Sequence, residues 1–334
     1  MSLDPDDESL GDAGAADEHH EHGDIAGVMA AGHDPAGDGS ETGDGTAPGT
    51  PASAGAASDL PLGAIPGGAG FGNLVHDVLE HIDFTGDDLD TDLRERVEEG
   101  LRRNPWPVDV ATLVDGLHAV IATPLGPMFA GRRLREFAPG DRLAELSFEL
   151  RLGEGGRHAT DRDVGALALR HLAGDDPLRP WAEQVASGPF GVELAGHLTG
   201  SIDSVFRVND PADPRVPARF VVVDYKTNKL SERGREPLSI DYRPDRLAPA
   251  MAEHHYPMQA LLYSVALHRY LRWRLPDYEP GVHLGGIAYL FVRGLAGAAT
   301  PVSDGSPHGV FAWQVPSGLV IDLSDLLDGR ELTR

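Results

Sequence analysis

Apolar residues settle into a regular rhythm only after residue 67. Phe71, Leu74, Val75, Val78, Leu79 and Ile82 recur at three- and four-residue steps, the pattern of an amphipathic helix with one buried face. The opposite side carries Asn73, His76, Asp77 and Glu80, and His76 and Glu80 are one turn apart on the same face. Residues 88–123 predict two more helices, interrupted by Asn104-Pro105-Trp106-Pro107, with the acidic run from Asp87 to Asp92 as a solvated helix start. Leu143 to Leu150 predicts a strand, and residues 161–187 predict helix and loop. Two further strands are expected over 193–208 and 219–227. The connector Asn209-Asp210-Pro211-Ala212-Asp213-Pro214 is turn chemistry, so the pair reads as an antiparallel hairpin. Three consecutive valines, Val221 to Val223, suit a strand buried on both faces. A long helix follows from about Pro257 to Leu275, with proline tolerated at the first helical position. Gly285 to Val292 predicts a strand, and Val310 to Leu327 one more strand and a short helix. No internal repeat and no G-x-x-x-x-G-K-[ST] phosphate loop occurs.

Composition changes this picture at the N-terminus. Residues 1–65 are rich in Gly, Ala, Asp, Ser and Pro and nearly lack large apolar side chains. Such a segment cannot bury enough surface to offset its ordering entropy, so it reads as a disordered acidic tail or linker before a domain over 66–334. The cluster His19, His20, Glu21 and His22 shows no recurring ligand spacing and reads as a solvated polar patch. The formal net charge over 334 residues is -25. The first sixty residues hold 14 acidic and no basic side chains, leaving 39 acidic against 28 basic, a balance of -11. An acidic domain is a poor grip on nucleic acid, because phosphate binding relies on basic side chains and counterion release. The absence of cysteine excludes disulfides, thiolate zinc sites and cysteine-ligated iron–sulfur clusters. With no apolar run of membrane-spanning length and no secretory signal pattern, the expectation is a cytoplasmic protein without a membrane partner.

Candidate chemistry gathers at the hairpin. The valine-rich strand continues into Asp224-Tyr225-Lys226, and alternation puts Asp224 and Lys226 on one side. The partner strand brings Gly200-Ser201-Ile202-Asp203 beside them. Two carboxylates suit a hard divalent cation such as Mg²⁺, which lowers the pKa of bound water and stabilises charge on a phosphodiester. A neighbouring ammonium can orient that water or stabilise developing charge. Lys226 and Lys229 are the only lysines in the chain; basic positions elsewhere are arginine. Arg does not substitute for Lys where a proton must move.

These motifs resemble the PD-(D/E)XK nuclease superfamily, and more closely its RecB-type nuclease domains, the nuclease of the beta subunit of bacterial exodeoxyribonuclease V. Gly72-Asn73-Leu74-Val75-His76-Asp77-Val78-Leu79-Glu80 resembles the opening G-x-x-x-H-x-x-x-E helix. Tyr256-Pro257-Met258-Gln259-Ala260-Leu261-Leu262-Tyr263 resembles the Q-x-x-x-Y helix. His268 to Arg272 and Gly285 to Gly294 are also similar, and Ile202 stands where the superfamily name has proline.

The resemblance implies an α/β fold of the restriction-endonuclease type, a central mixed sheet flanked by helices. It implies His76, Asp203, Asp224 and the Tyr225 carbonyl as metal ligands, Lys226 as the catalytic lysine, and Gln259 and Tyr263 as substrate-positioning residues. Glu80 is expected to orient His76. Glu145 stays open between site residue and solvated strand residue, Tyr263 between site and core, and Arg293 between phosphate contact and ordinary strand-end charge. The activity implied is Mg²⁺-dependent exonucleolytic hydrolysis of DNA in double-strand-break repair, recombination and linear-DNA degradation, with a helicase part and RecC- and RecD-like subunits as partners. Two other readings stand beside it: a stand-alone exonuclease without a motor, and a catalytically idle DNA-binding or scaffold module.

Overall fold

The computed structural model describes residues 60–153, 158–188, 191–213 and 215–330. The expected acidic tail up to residue 59, the histidine-rich cluster at 19–22 and Pro214 of the hairpin connector lie outside the described residues.

Three helices come first: α1 (Ala69–His81), α2 (Leu89–Arg103) and α3 (Val110–Ala122). Helix α1 buries Phe71, Leu74, Val75, Val78 and Leu79, the stripe its sequence spacing predicts. Helix α2 starts where the Asp88 carboxylate accepts from the Thr91 N–H. It carries Asp90 and Asp92 in its first turn and Arg102 and Arg103 in its last, matching the helix dipole. Asp109 caps α3 in the same way through Thr112. Strand β1 (Arg142–Leu152) follows, then α4 (Asp161–His171), opened by a Thr160–Asp163 capping box, and α5 (Arg179–Ser187).

The main elements that follow are β2 (Gly196–Val208), β3 (Arg219–Lys226), α6 (Pro244–Glu253), α7 (Tyr256–Arg274), β4 (Leu284–Phe291), β5 (Val310–Trp313) and α8 (Ser317–Leu327). The five strands form one mixed sheet in sequential order, β1 to β5. All neighbours run antiparallel except β3 and β4, which pair in parallel. A parallel pair needs a long crossover, and α6 with α7 supplies it.

The sheet separates two cores. Val221, Val223 and Tyr225 pack with α1, α2 and α3 on one face. Val222 packs with α4 to α8 on the other. The valine run is therefore buried on both faces, as expected, and alternation sends Asp224 and Lys226 toward the α7 side.

Two features differ from the sequence expectation. Order does not begin near Gly67: Leu60, Leu62 and Ile65 are already buried, with Leu62 wedged against Gly116 of α3. Three large apolar residues spaced among Pro, Gly and Ala carry no periodicity, so only tertiary packing reveals them. Helix α6, with Pro249 inside it, was not foreseen, because two prolines and a short length mask its helical pattern.

Candidate active site

The site lies at the C-terminal end of β3 and the middle of β2, where the ladder between these two strands stops. The last hydrogen-bonded pairs run from Val208↔Arg219 to Ser204↔Val223. One step beyond, the Asp203 Oδ2 accepts from the Tyr225 N–H at 2.8 Å, so the carboxylate replaces a backbone rung and is pinned beside Asp224. Both carboxylates are buried.

Helix α1 approaches from one sheet face. His76 Nδ1 stands 3.3 Å from Asp203 Oδ2 and 3.7 Å from Glu80 Oε1. Burial alone would lower the His76 pKa. The hydrogen bonds to Asp203 and Glu80, with the charges of Asp203 and Asp224, outweigh it and raise the ring to about 10. Burial likewise opposes ionisation of Asp203, but His76, the Tyr225 N–H and Lys226 hold it below the usual carboxylate range. Asp224 goes the other way: burial raises it to about 6, against the charge of Lys226 and with that of Asp203.

Helix α7 approaches from the opposite face. Lys226 Nζ sits 2.7 Å from Asp224 Oδ2, although that buried oxygen receives no well-aligned hydrogen bond. The ammonium donates to Gln259 Oε1 at 3.2 Å. The Tyr289 hydroxyl donates to the same oxygen at 3.1 Å, and Gln259 Nε2 donates to the Tyr263 hydroxyl at 3.0 Å. Burial would depress Lys226, yet Asp224 overrides it and the pKa is raised.

An open cleft of about 480 Å³ fronts these groups, lined among others by Asn73, His76, Glu80, Glu145, Lys226 and Asn228. Among the described residues, the ligand atoms of His76, Glu80 and Asp203 all fall within 4.8 Å of one another, a donor set that fits a divalent cation. The unaligned Asp224 Oδ2 beside them fits the same demand for an oxygen ligand. Glu80 thus stands in the donor cluster itself, closer to the centre than an expected role of orienting His76.

The other sequence candidates fall in different places. Glu145 is exposed at the cleft, at a left-handed φ of 52°, and the β1–β2 ladder skips it between Ala144↔Ser204 and Leu146↔Ile202. A non-glycine residue rarely adopts that conformation. The Tyr225 ring is turned into the α1–α3 core and meets His76 edge-on at 6.2 Å. Tyr263 is buried, with its hydroxyl joined to Gln259. Arg293 is neither a phosphate contact nor an exposed strand-end charge. Its guanidinium is fully buried and donates to the carbonyls of Thr227, Leu62, Ile65 and Pro66 while lying over Phe71. It ties the residue after Lys226 to the segment that leads into α1. Sequence reasoning missed this, and missed Tyr256 and Tyr289 around Lys226; an arginine ending an all-apolar strand was the available signal for the first.

Comparison with known proteins matches residues 64–307 to the PD-(D/E)XK nuclease superfamily model. The chain belongs to that superfamily. It is 46% identical over 275 residues to the RecBCD enzyme subunit RecB of Mycolicibacterium smegmatis, covering 81% of this chain and 25% of that protein. It is 47% identical over 296 residues to RecB of Mycobacterium tuberculosis, covering 84% and 26%. RecB of Escherichia coli K12 is 30% identical over 269 residues, covering 80% and 20%. The chain thus spans about a quarter of the length of its mycobacterial relatives. The superfamily's α/β core, a mixed sheet flanked by helices, is the fold described above. Among the described residues, no helix is long and apolar enough to cross a membrane.

Proposed function

We propose that this chain is a Mg²⁺-dependent DNA nuclease of the RecB type, hydrolysing phosphodiester bonds of linear DNA as an exonuclease in break repair and recombination, in the cytoplasm. The observation that carries the reading is the meeting of Asp203, Asp224 and Lys226 at one strand-end cleft, with His76 and Glu80 brought in from α1.

Asp203, Asp224 and His76 would hold the cation, with the Tyr225 carbonyl as a further oxygen and Glu80 within reach. A bound divalent cation supplies Lewis acidity toward the phosphodiester and makes water more acidic. Lys226 places its ammonium where charge develops on the phosphate oxygens. Gln259 fixes that ammonium from α7, and Tyr263 fixes Gln259 in turn. Glu145, on the open rim, faces incoming DNA rather than the reacting centre.

The relatives are named as subunits of a RecBCD enzyme, which supports RecC- and RecD-like chains as partners; the helicase part is what the family resemblance implies. The acidic balance favours the same reading, because a domain with so few cations gains little from phosphate contacts alone. The test is cleavage of linear DNA with and without Mg²⁺, by the unaltered chain and by Asp203→Ala. Metal-independent cleavage, or full activity in the variant, would overturn the assignment.

A further inference from the structure

Lys226 is held by more than its two oxygen neighbours. Its Nζ lies 4.2 Å from the centroid of the Tyr256 ring and over its face, and 5.3 Å from that of Tyr289. We infer that Tyr256 is a positioning residue: its ring is the seat that keeps the Lys226 ammonium between Asp224 and Gln259 at the cleft. The inference rests on the role proposed above for Lys226.

The physical need is plain. A lysine ends in a point charge on a flexible four-carbon stem, and a carboxylate on one side does not fix its direction. An aromatic face attracts an ammonium without taking one of its hydrogens into a fixed bond. The donors of Nζ thus stay free to reach Gln259 and, when substrate is present, a phosphate oxygen.

Tyr256 is built to act as a fixed surface. Its hydroxyl donates to Asn228 Oδ1 at 3.1 Å, two residues after Lys226 in the same chain segment. Its ring stacks with Tyr289 at 5.7 Å and an interplanar angle of 16°, and the Tyr289 hydroxyl shares its one proton between Gln259 Oε1 and the Tyr256 carbonyl, the latter at 3.2 Å. The ring also stacks with His254 at 5.3 Å. Tyr256 is the first residue of α7, and the residue before it, His255, has a left-handed φ of 56°. A non-glycine residue persists there only where its surroundings over-determine the backbone. The strained turn and the stacked rings together deliver the Tyr256 face to Lys226.

The lysine content makes this testable without cleavage. With only Lys226 and Lys229 present, ¹³C-lysine labelling gives two side-chain signals, assigned with Lys229→Arg. In the metal-free protein the Lys226 ε-methylene protons should be shifted upfield by the ring, well away from those of Lys229. Tyr256→Phe keeps the face and should keep the shift and activity within about threefold. Tyr256→Leu should lose the shift and lower kcat about tenfold, the scale of one partly buried cation–π contact, with little change in KM. An unshifted Lys226 signal in the unaltered protein overturns the inference whether or not any variant folds. So does a loss in Tyr256→Phe as large as in Tyr256→Leu, which would assign the work to the hydroxyl. A Lys226→Ala variant of full activity would instead refute the catalytic role of the lysine while leaving the spectroscopic seat intact, so the two failures are distinguishable.

Discussion

Lys226 and Lys229 stand three residues apart and meet different surroundings. Lys226 is held among Asp224, Gln259 and two tyrosine rings, whereas Lys229 is exposed, its pKa lowered by partial burial and by the charge of Arg293. Lys226→Ala should cut the cleavage rate by on the order of 10²-fold or more, the cost of removing one group that stabilises developing charge. Lys229→Ala is the matched control and should stay within about threefold in the same steady-state assay. The carboxylates answer to a different readout. Asp203→Ala and Asp224→Ala should each abolish saturable Mg²⁺ binding in calorimetry, while His76→Ala weakens it less because a neutral imidazole ligand brings no charge. Unchanged metal affinity in both aspartate variants would reject them as ligands.

Between elements, the site depends on how α1 is tied to the strand that carries Lys226. Arg293 makes that tie through four carbonyls on two segments. Arg293→Met would leave buried acceptors without donors, at about 1–3 kcal/mol for each one left bare. A fall in stability of at least about 2 kcal/mol in urea denaturation is expected, where a solvated strand-end arginine would cost almost nothing. Much at this scale was legible in the sequence. Helices and strands with strong periodicity, α1, α7, β3 and β4 above all, stand close to where their patterns place them, because one stripe or one apolar run decides each. The meeting of Asp203 with Asp224 followed from alternation and a turn. What was not legible depends on partners remote in sequence: Leu60 and Leu62 against α3, the Arg293 carbonyl clamp, the aromatic seat of Lys226, and the Glu145 backbone that leaves the ladder. None of these leaves a local period. The revised start of the domain makes its own prediction. Removing residues 1–55 should leave the unfolding midpoint unchanged, whereas removal through residue 66 should destabilise the fold by several kcal/mol, since losing one buried leucine costs about 2–5 kcal/mol.

For the whole molecule, charge sets the limits. A net charge of -25, with all 28 basic residues beyond residue 60 and outnumbered there by 39 acidic ones, gives the chain little general attraction for duplex DNA. Alone it should bind duplex weakly and with a shallow salt dependence, a log–log slope no steeper than about -5. A steeper slope with tight binding at physiological salt would favour a self-sufficient exonuclease over one supplied by a motor. The central claim is tested most directly on linear single-stranded DNA, where no motor is needed to expose the strand. Cleavage by the unaltered chain should require Mg²⁺ and stop with chelator. Lys226→Ala should cleave at background while calorimetry still shows it binding Mg²⁺. Cleavage that survives chelation, or a Lys226→Ala variant as active as the unaltered chain, would contradict the account.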